Sequence, residues 1–243
     1  MPAKVITKTV DYEQGGVKLK GWLAYDDSTT AKRPGVLLVH EWWGLTDFVK
    51  GRAEELARLG YVAFAADMYG AGVSTEDPKK AGELSGQFYG KPLMAERARA
   101  GLDQLLATGL VAEGKTAAIG FCFGGAVSQA LAYSGAPVTA VVSFHGSLIP
   151  APAGASNKAH ILMLHGAADT FISADQIAAF QKSMKDGNFD WQWVSYPGAV
   201  HAFTNPGATA LGKKYGMNIA YNEAAATASW ARMQEFFQTL FGR

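Results

Sequence analysis

The sequence predicts an α/β fold in which a mostly parallel central sheet carries helices on both faces. Five apolar runs of strand length recur without polar alternation, which is typical of strands covered on both faces. Stretches with helical periodicity separate these runs, so that crossover connections join parallel strands. No linker, internal repeat or low-complexity segment divides the chain, and we expect one domain over residues 1–243.

The predicted elements follow one another in the order that such a sheet requires. Two alternating segments, 5–12 and 17–25, are separated by Glu13-Gln-Gly-Gly16 and predict an antiparallel hairpin at one sheet edge. The buried strands are predicted at 35–40, 61–66, 116–120, 138–144 and 159–165, and a further strand at 191–196. Helices are predicted at 47–59, 92–106, 124–133, 174–185 and 221–241.

The only cysteine of the chain lies in Gly120-Phe-Cys-Phe-Gly124, between a predicted strand and a predicted helix. This is the spacing of the G-x-S-x-G nucleophile elbow, with sulfur in place of oxygen. Glycines are needed there because larger side chains would collide with the adjoining strand and helix. The turn places Cys122 at a helix N-terminus, where free N–H groups favour a thiolate. A small, inert, buried cysteine is the ordinary alternative.

A cysteine nucleophile needs a histidine base, and the base needs an acid to orient it. In proteins with this elbow the acid follows the nucleophile and the histidine comes last. Asp169 and His201 satisfy this order, and each follows a separate predicted strand. Three other histidines also end strands but precede Asp169, so we expect them to pack or to line the crevice: His40, His145 and His165.

The sequence resembles the dienelactone hydrolase family of α/β-hydrolases. The resemblance is carried by Gly120-Phe-Cys-Phe-Gly-Gly125, His40-Glu-Trp-Trp-Gly44, Gly166-Ala-Ala-Asp169 and Gly198-Ala-Val-His-Ala-Phe203, and it covers the chain from about Lys18. It implies an α/β-hydrolase fold, a Cys-His-Asp triad and carboxymethylenebutenolidase-type hydrolysis of esters or lactones. It also implies that Glu41 helps to deprotonate Cys122, and that the backbone N–H groups of Trp42 and Phe123 form the oxyanion hole.

The residues themselves support part of the role implied for Glu41. A carboxylate directly after an apolar strand and beside two tryptophans loses hydration unless it is paired or protonated, which raises its pKa. A carboxyl group with a raised pKa can accept a proton from a thiol. The alternative is a glutamate that faces outward and bonds to the backbone.

Aromatic side chains dominate the loops that are expected to line the substrate pocket: Trp43, Tyr69, Phe88, Tyr89, Phe171 and Phe203. None of the seven arginines falls in such a loop, and the segment after His201 lacks the cation that type members of the family use to hold a substrate carboxylate. Burial of apolar groups gains about 25 cal/mol per Å², whereas an unpaired carboxylate costs several kcal/mol. We therefore expect neutral aryl or alkyl esters to be preferred.

Composition excludes several other functional classes. The net charge is +1 and the basic residues are scattered, so neither nucleic acid nor a membrane surface is an expected partner. With one cysteine, no secretory signal and no apolar run of membrane-spanning length, we expect a cytoplasmic protein. No cofactor or metal is expected, because the histidines lack metal-ligand spacing. The expected partner is a small ester or lactone, bound by a monomer or a homodimer.

Two functions of other classes remain open from the sequence. Cys122 could act as a thiol redox centre or sensor that peroxide oxidises, in which case no ester is turned over. The same scaffold could also be a catalytically silent module that binds small apolar ligands in the crevice.

Overall fold

The computed structural model describes residues 4–155 and 159–242. Within these ranges the strands are β1 (Val5–Gln14), β2 (Val17–Asp26), β3 (Arg33–Val39), β4 (Val62–Ala66), β5 (Val111–Phe121), β6 (Ala140–Phe144), β7 (His160–Gly166) and β8 (Trp191–Tyr196). The helices are α1 (Asp47–Arg58), α2 (Pro78–Gly86), α3 (Leu93–Ala107), α4 (Phe123–Tyr133), α5 (Ala174–Asp186), α6 (Ala208–Tyr215) and α7 (Glu223–Phe241).

The described strands form one sheet in the order β1-β2-β4-β3-β5-β6-β7-β8. All pairings from β4 to β8 are parallel, whereas β2 runs antiparallel to both β1 and β4. The predicted edge hairpin is therefore confirmed. It turns at Gly15 and Gly16, whose φ values of 59° and 77° suit a two-residue hairpin turn. The mostly parallel sheet predicted from the apolar runs is confirmed as well.

Helices cover both faces of this sheet because successive strand residues point to opposite sides. On one face, Leu37 of β3 belongs to a buried cluster that includes Leu102 of α3. On the other face, Leu38 belongs to a second cluster, together with Leu56 of α1 and Phe237 of α7. A strand enclosed in this way shows no polar alternation, which explains the continuous apolar runs.

Two helices and part of one strand were not predicted. Helix α2 begins at the N-cap Asp77, whose carboxylate accepts the N–H of Lys79, and its short, mostly exposed sequence carries little apolar periodicity. Helix α6 is also short and buries only Ala208 and Gly212. Strand β5 begins at Val111 rather than at residue 116, because its exposed residues 113–115 break the apolar run. Among the described helices, none has the length and apolarity that a membrane crossing requires.

Candidate active site

Cys122 lies on a strained turn between the end of β5 and the start of α4. Its backbone has φ 55° and ψ −117°, a conformation that residues other than glycine rarely adopt and that costs about 1–3 kcal/mol. Two hydrogen bonds hold the turn: the Cys122 N–H donates to the Phe144 carbonyl at 3.1 Å, and the Gly125 N–H donates to the Cys122 carbonyl at 3.0 Å. Such strain is typical of a nucleophile on a sharp strand-to-helix turn at the carboxyl ends of the strands.

The glycines on either side of Cys122 are required by close backbone contacts. A Cβ at Gly120 would lie 1.9 Å from the Gly124 carbonyl oxygen. A Cβ at Gly124 would lie 2.2 Å from the carbonyl oxygen of Val39, the last residue of β3. No side chain fits at either position, because helix α4 begins directly against the ends of two strands.

Asp169 and His201 form a buried pair beside Cys122. The Asp169 Oδ2 atom lies 2.7 Å from His201 Nδ1, and its Oδ1 atom accepts the N–H of Phe171 at 2.8 Å. Burial alone would lower the pKa of His201. The charge of Cys122 and hydrogen bonds to both Asp169 and Cys122 outweigh burial and raise this pKa to about 10. The arrangement favours the imidazolium form of His201.

Glu41 points into the protein, so the outward-facing alternative is wrong. Its side chain is buried, its Oε2 atom accepts the Asn205 Nδ2–H at 2.6 Å, and its Oε1 atom has no partner among the described residues. Burial raises the pKa of Glu41 from 4.5 to about 7, although the hydrogen bond from Asn205 and the charge of His201 oppose the rise. Glu41 therefore has an unpaired, buried carboxyl oxygen, and the residue lines the same cavity as Cys122.

Asn205 is a site residue to which sequence analysis assigned no role. It follows His201 by four positions, and its side chain both holds Glu41 and accepts the N–H of Gly207 at 2.9 Å. The bond to Glu41 comes from a neutral amide and not from a lysine or arginine, and burial dominates the pKa of Glu41. The sequence feature that could have indicated this role is the lack of a lysine or arginine in residues 202–205, directly after His201.

The N–H groups of Trp42 and Phe123 are both without a hydrogen-bond partner among the described residues. Phe123 is the first residue of α4, and Trp42 follows Glu41 in the turn after β3. The contact between Gly124 and the end of β3 brings these two segments together. Unpaired N–H groups at a helix N-terminus can bind an anionic oxygen.

A cavity of about 290 Å³ contains Cys122 and His201, and three of the six predicted aromatic residues line it: Trp43, Tyr89 and Phe171. The other part of its wall comes from α2 and from the segment after α6, which sequence analysis had missed. Gly82 and Ser85 belong to the first of these, and Met217 and Ile219 to the second.

The other three predicted pocket residues do not line the cavity, and those predictions are corrected. Tyr69 and Phe88 pack behind Phe123, with ring centroids 5.9 and 5.6 Å from its ring. Phe203 packs on the far side of His145, 5.1 Å from it, and is fully buried. The sequence places these residues in the right loops but carries no signal for the direction of their side chains.

No lysine or arginine is among the described residues that line this cavity. Six of the seven arginines are described, and they lie at the start of β3 or on α1, α3 and α7: Arg33, Arg52, Arg58, Arg97, Arg99 and Arg232. Arg243 lies outside the described residues. Apart from the groups of the proposed triad, Glu41 is the only ionisable acid or base among the described residues that line the cavity, tyrosine excepted.

A larger cavity, of about 990 Å³, lies at the other end of the strands, beside the amino ends of β5 and β6. Its lining includes residues 135–139 and the start of β5, and it contains none of the predicted site residues. Size alone therefore does not mark the active site, since the titratable groups converge on the smaller cavity.

This chain is similar in sequence and in structure to known proteins. The family model described as "Dienelactone hydrolase family" matches residues 19–241. A solved dienelactone hydrolase-like promiscuous phosphotriesterase from metagenomic libraries is 37% identical, with a TM-score of 0.92 over 98% of this chain and 99% of that one. "Protein usf" of Aquifex pyrophilus is 31% identical over 81% of this chain and 86% of that protein. "Putative carboxymethylenebutenolidase" of Aquifex aeolicus is 27% identical over 95% and 97%.

The raised pKa of Glu41 predicts a stability change with pH. Between about 4.5 and 7 the folded protein binds a proton at Glu41 that the unfolded chain releases, so the free energy of unfolding falls as pH rises. Glu41→Gln removes this titration. At pH 8 the variant should be more stable than the parent by about 3 kcal/mol, and near pH 4 the difference should vanish.

Urea unfolding at several pH values measures this difference, with the exposed Glu113→Gln as the matched control. The control should follow the parent across the whole range. A constant offset between Glu41→Gln and the parent would contradict the assignment of a raised pKa to Glu41.

Proposed function

This chain belongs to the dienelactone hydrolase family, and we propose that it cleaves neutral carboxylic esters or lactones through an acyl-thioester on Cys122. The observation that carries the mechanism is the 2.7 Å contact between Asp169 and His201, beside a cysteine on a nucleophile elbow. The three residues come from loops at the carboxyl ends of β5, β7 and β8, where ligands of such sheets bind.

Three neighbouring groups favour ionisation of Cys122. His201 can hold the thiol proton as an imidazolium, and Asp169 stabilises that cation. The N-terminus of α4 adds a partial positive charge next to the sulfur. Glu41 is a second proton acceptor, because it lines the same cavity and its Oε1 atom has no partner among the described residues. Its raised pKa suits proton exchange near neutral pH.

Acylation begins when the Cys122 thiolate attacks the carbonyl carbon of the substrate. The carbonyl π electrons move onto oxygen, and the N–H groups of Trp42 and Phe123 donate hydrogen bonds to the oxyanion. When the tetrahedral intermediate collapses, the ester C–O bond breaks and His201 gives its proton to the departing alkoxide. The products of this step are an alcohol and a thioester on Cys122.

Deacylation uses His201 as a base. Its Nδ1–H stays bonded to Asp169, which leaves the other ring nitrogen free to take a proton from water. The resulting hydroxide attacks the thioester carbonyl, and the same two N–H groups bind the second oxyanion. Collapse releases the carboxylic acid and returns Cys122 as a thiolate next to a protonated His201.

The charges around the cavity support a preference for neutral substrates. A substrate carboxylate would enter a site that already holds the carboxyl group of Glu41, with no described lysine or arginine to pair with it. An unpaired carboxylate costs several kcal/mol to desolvate, and repulsion by Glu41 adds to that cost. The walls formed by Trp43, Tyr89 and Phe171 instead favour aryl or alkyl groups.

Neutral phosphotriesters are a second candidate substrate class. The solved relative that is 37% identical is described as a promiscuous phosphotriesterase. A phosphotriester carries no net charge and would suit a cavity with no lysine or arginine among its described lining residues. Its phosphoryl oxygen could use the same two N–H groups. Attack by Cys122 would form an S–P bond and expel an aryloxide, and water would then release the phosphodiester.

The first prediction from the proposed function concerns the triad. Cys122→Ala and His201→Ala should each lower kcat for a chromogenic ester by at least about a thousandfold, and the double variant should be little slower, because members of one catalytic unit are not additive. Steady-state assays at pH 8 measure this. Ser134→Ala is the control, since this exposed serine lies at the far end of α4. Near-normal turnover by Cys122→Ala would refute the mechanism.

The second prediction concerns substrate charge. A neutral lactone ester and its free acid, matched in ring size, should differ in kcat/KM by at least about tenfold in favour of the ester, because only the acid loses hydration without a partner. Direct competition between the two substrates gives this ratio. A preference for the acid would mean that a cation reaches the cavity from elsewhere.

The third prediction concerns phosphotriesters. Diethyl 4-nitrophenyl phosphate should release nitrophenolate at a rate that depends on Cys122, but with a lower kcat/KM than the matched carboxylic ester. Absorbance at the nitrophenolate band follows the reaction, and intact mass spectrometry detects the phosphoryl adduct. Release no faster than with Cys122→Ala would exclude this second activity.

A further inference from the structure

The carbonyl groups of Glu41 and Trp42 are held by two aromatic side chains, the buried His40 and the half-buried Tyr69. The Glu41 carbonyl oxygen lies 2.5 Å from His40 Nδ1 and also accepts the Gly44 N–H at 3.2 Å. The Trp42 carbonyl oxygen accepts the hydroxyl of Tyr69 at 2.8 Å. Both peptide groups of Trp42 are therefore fixed by hydrogen bonds to their oxygen atoms.

The tautomer of His40 follows from its two partners. Its Nε2 atom faces the backbone N–H of Met68 at 3.3 Å, and an N–H can only donate. The proton must therefore be on Nδ1, which donates it to the Glu41 carbonyl. Burial lowers the pKa of His40 to about 4, although the bond to Glu41 and the charge of Asp67 oppose this change. His40 stays neutral, as the same tautomer, at neutral pH.

Because the peptide group between Glu41 and Trp42 is planar, a hydrogen bond that fixes its C=O also fixes the direction of its N–H. In a trans peptide the C=O and N–H bonds point in opposite directions, and the described chain contains no cis peptide bond. Because the Glu41 carbonyl points to the His40 ring, the Trp42 N–H points away from that ring. A strong hydrogen bond to a peptide oxygen also polarises its N–H and makes it a better donor.

Tyr69 connects this turn to the second proposed oxyanion donor. Its ring lies 4.8 Å from the His40 ring, at 66°, and 5.9 Å from the ring of Phe123. Burial raises the pKa of Tyr69 above its usual range, so its hydroxyl remains a hydrogen-bond donor to Trp42. One side chain therefore contacts both residues whose N–H groups would bind the oxyanion.

We propose that His40 and Tyr69 are positioning residues of the oxyanion hole, which hold the peptide groups of Trp42 so that its N–H meets the developing negative charge. The proposal rests on the proposed function, because it requires a substrate oxygen that becomes anionic beside Cys122. Neither residue lines the cavity, so both act through Trp42 rather than on the substrate. Loss of an oxyanion donor costs about 10²–10³ in kcat, and a small misplacement can cost about 10².

Two substitutions of His40 distinguish its hydrogen bond to the Glu41 carbonyl from its hydrogen bond to the Met68 N–H. The amide nitrogen of His40→Asn can take the place of Nδ1 and donate to the Glu41 carbonyl. The amide of His40→Gln reaches the place of Nε2 instead, where it can bond to Met68 but not to Glu41. We expect His40→Gln to lower the rate of ester acylation by about 10- to 100-fold with KM nearly unchanged, and His40→Asn to stay within about fivefold of the parent.

Tyr69→Phe removes only the hydroxyl that holds Trp42, and Tyr133→Phe is its matched control. Tyr133 also donates its hydroxyl to a backbone carbonyl, that of Ile149 at 3.2 Å, but away from the cavity. Tyr69→Phe should slow acylation by about tenfold, whereas Tyr133→Phe should not. Thermal unfolding shows whether His40→Gln folds. If it does not, the comparison of Tyr69→Phe with Tyr133→Phe tests the proposal.

Alkylation of Cys122 by iodoacetamide provides the discriminating control. This reaction needs the thiolate but forms no oxyanion, so its rate should be unchanged in all four variants. If alkylation slows in parallel with acylation, His40 and Tyr69 act on the thiol and the proposal is wrong. Equal acylation by His40→Gln and His40→Asn would also overturn it.

The amide resonance of Trp42 in ¹⁵N-labelled protein gives a second readout that needs no turnover. It should shift in His40→Gln and Tyr69→Phe and remain near its parent position in His40→Asn. An unmoved resonance in His40→Gln would overturn the proposal even if the chain hydrolyses esters. Absence of ester turnover in the parent, with the resonance shifted as expected, would instead contradict the proposed function.

Discussion

The direct contact between the start of helix α4 and the carboxyl ends of β3 and β5 is the constraint on which the rest of the site depends. Gly120 and Gly124 permit this contact because neither position has room for a Cβ. The contact forces Cys122 into a backbone conformation that only a well-supported turn can maintain. It also brings the N-terminus of α4 beside the turn of Glu41 and Trp42, where one anion could meet N–H groups from both segments. A larger residue at either glycine would therefore disturb the nucleophile and the proposed oxyanion hole together.

Electrostatics at the cavity follow from burial and from a lining with no described lysine or arginine. Glu41 is held by an amide, that of Asn205, and not by a guanidinium, so loss of hydration sets the direction of its pKa. His201 is equally buried, but the charge of Cys122 and its bond to Asp169 reverse the effect of burial. One carboxyl group is thus destabilised as an anion while a neighbouring imidazole is stabilised as a cation. Groups whose pKa values are moved apart in this way are typical of acid–base pairs in active sites.

Much of the fold could be predicted because its signals are local. The strands from β3 to β7 are covered on both faces, which leaves continuous apolar runs, and the capping box of Ser173 and Gln176 marks the start of α5. Helices α2 and α6 escaped prediction because they lie at the surface and bury few residues each, so their apolar periodicity is weak. Their absence from the prediction mattered for the site, since α2 and the segment after α6 supply part of the cavity wall.

The sequence by itself determined the order of the strands along the chain, the elbow at Cys122 and the positions of Asp169 and His201, because spacing and chain order constrain these features strongly. Only the tertiary structure decided which side chains face the cavity: Trp43 and Phe171 do, whereas Phe203 packs behind His145. It also decided that Asn205 holds Glu41, a contact between residues 164 positions apart. The direction of a loop side chain depends on packing with distant elements, and no local pattern in a single sequence records that packing.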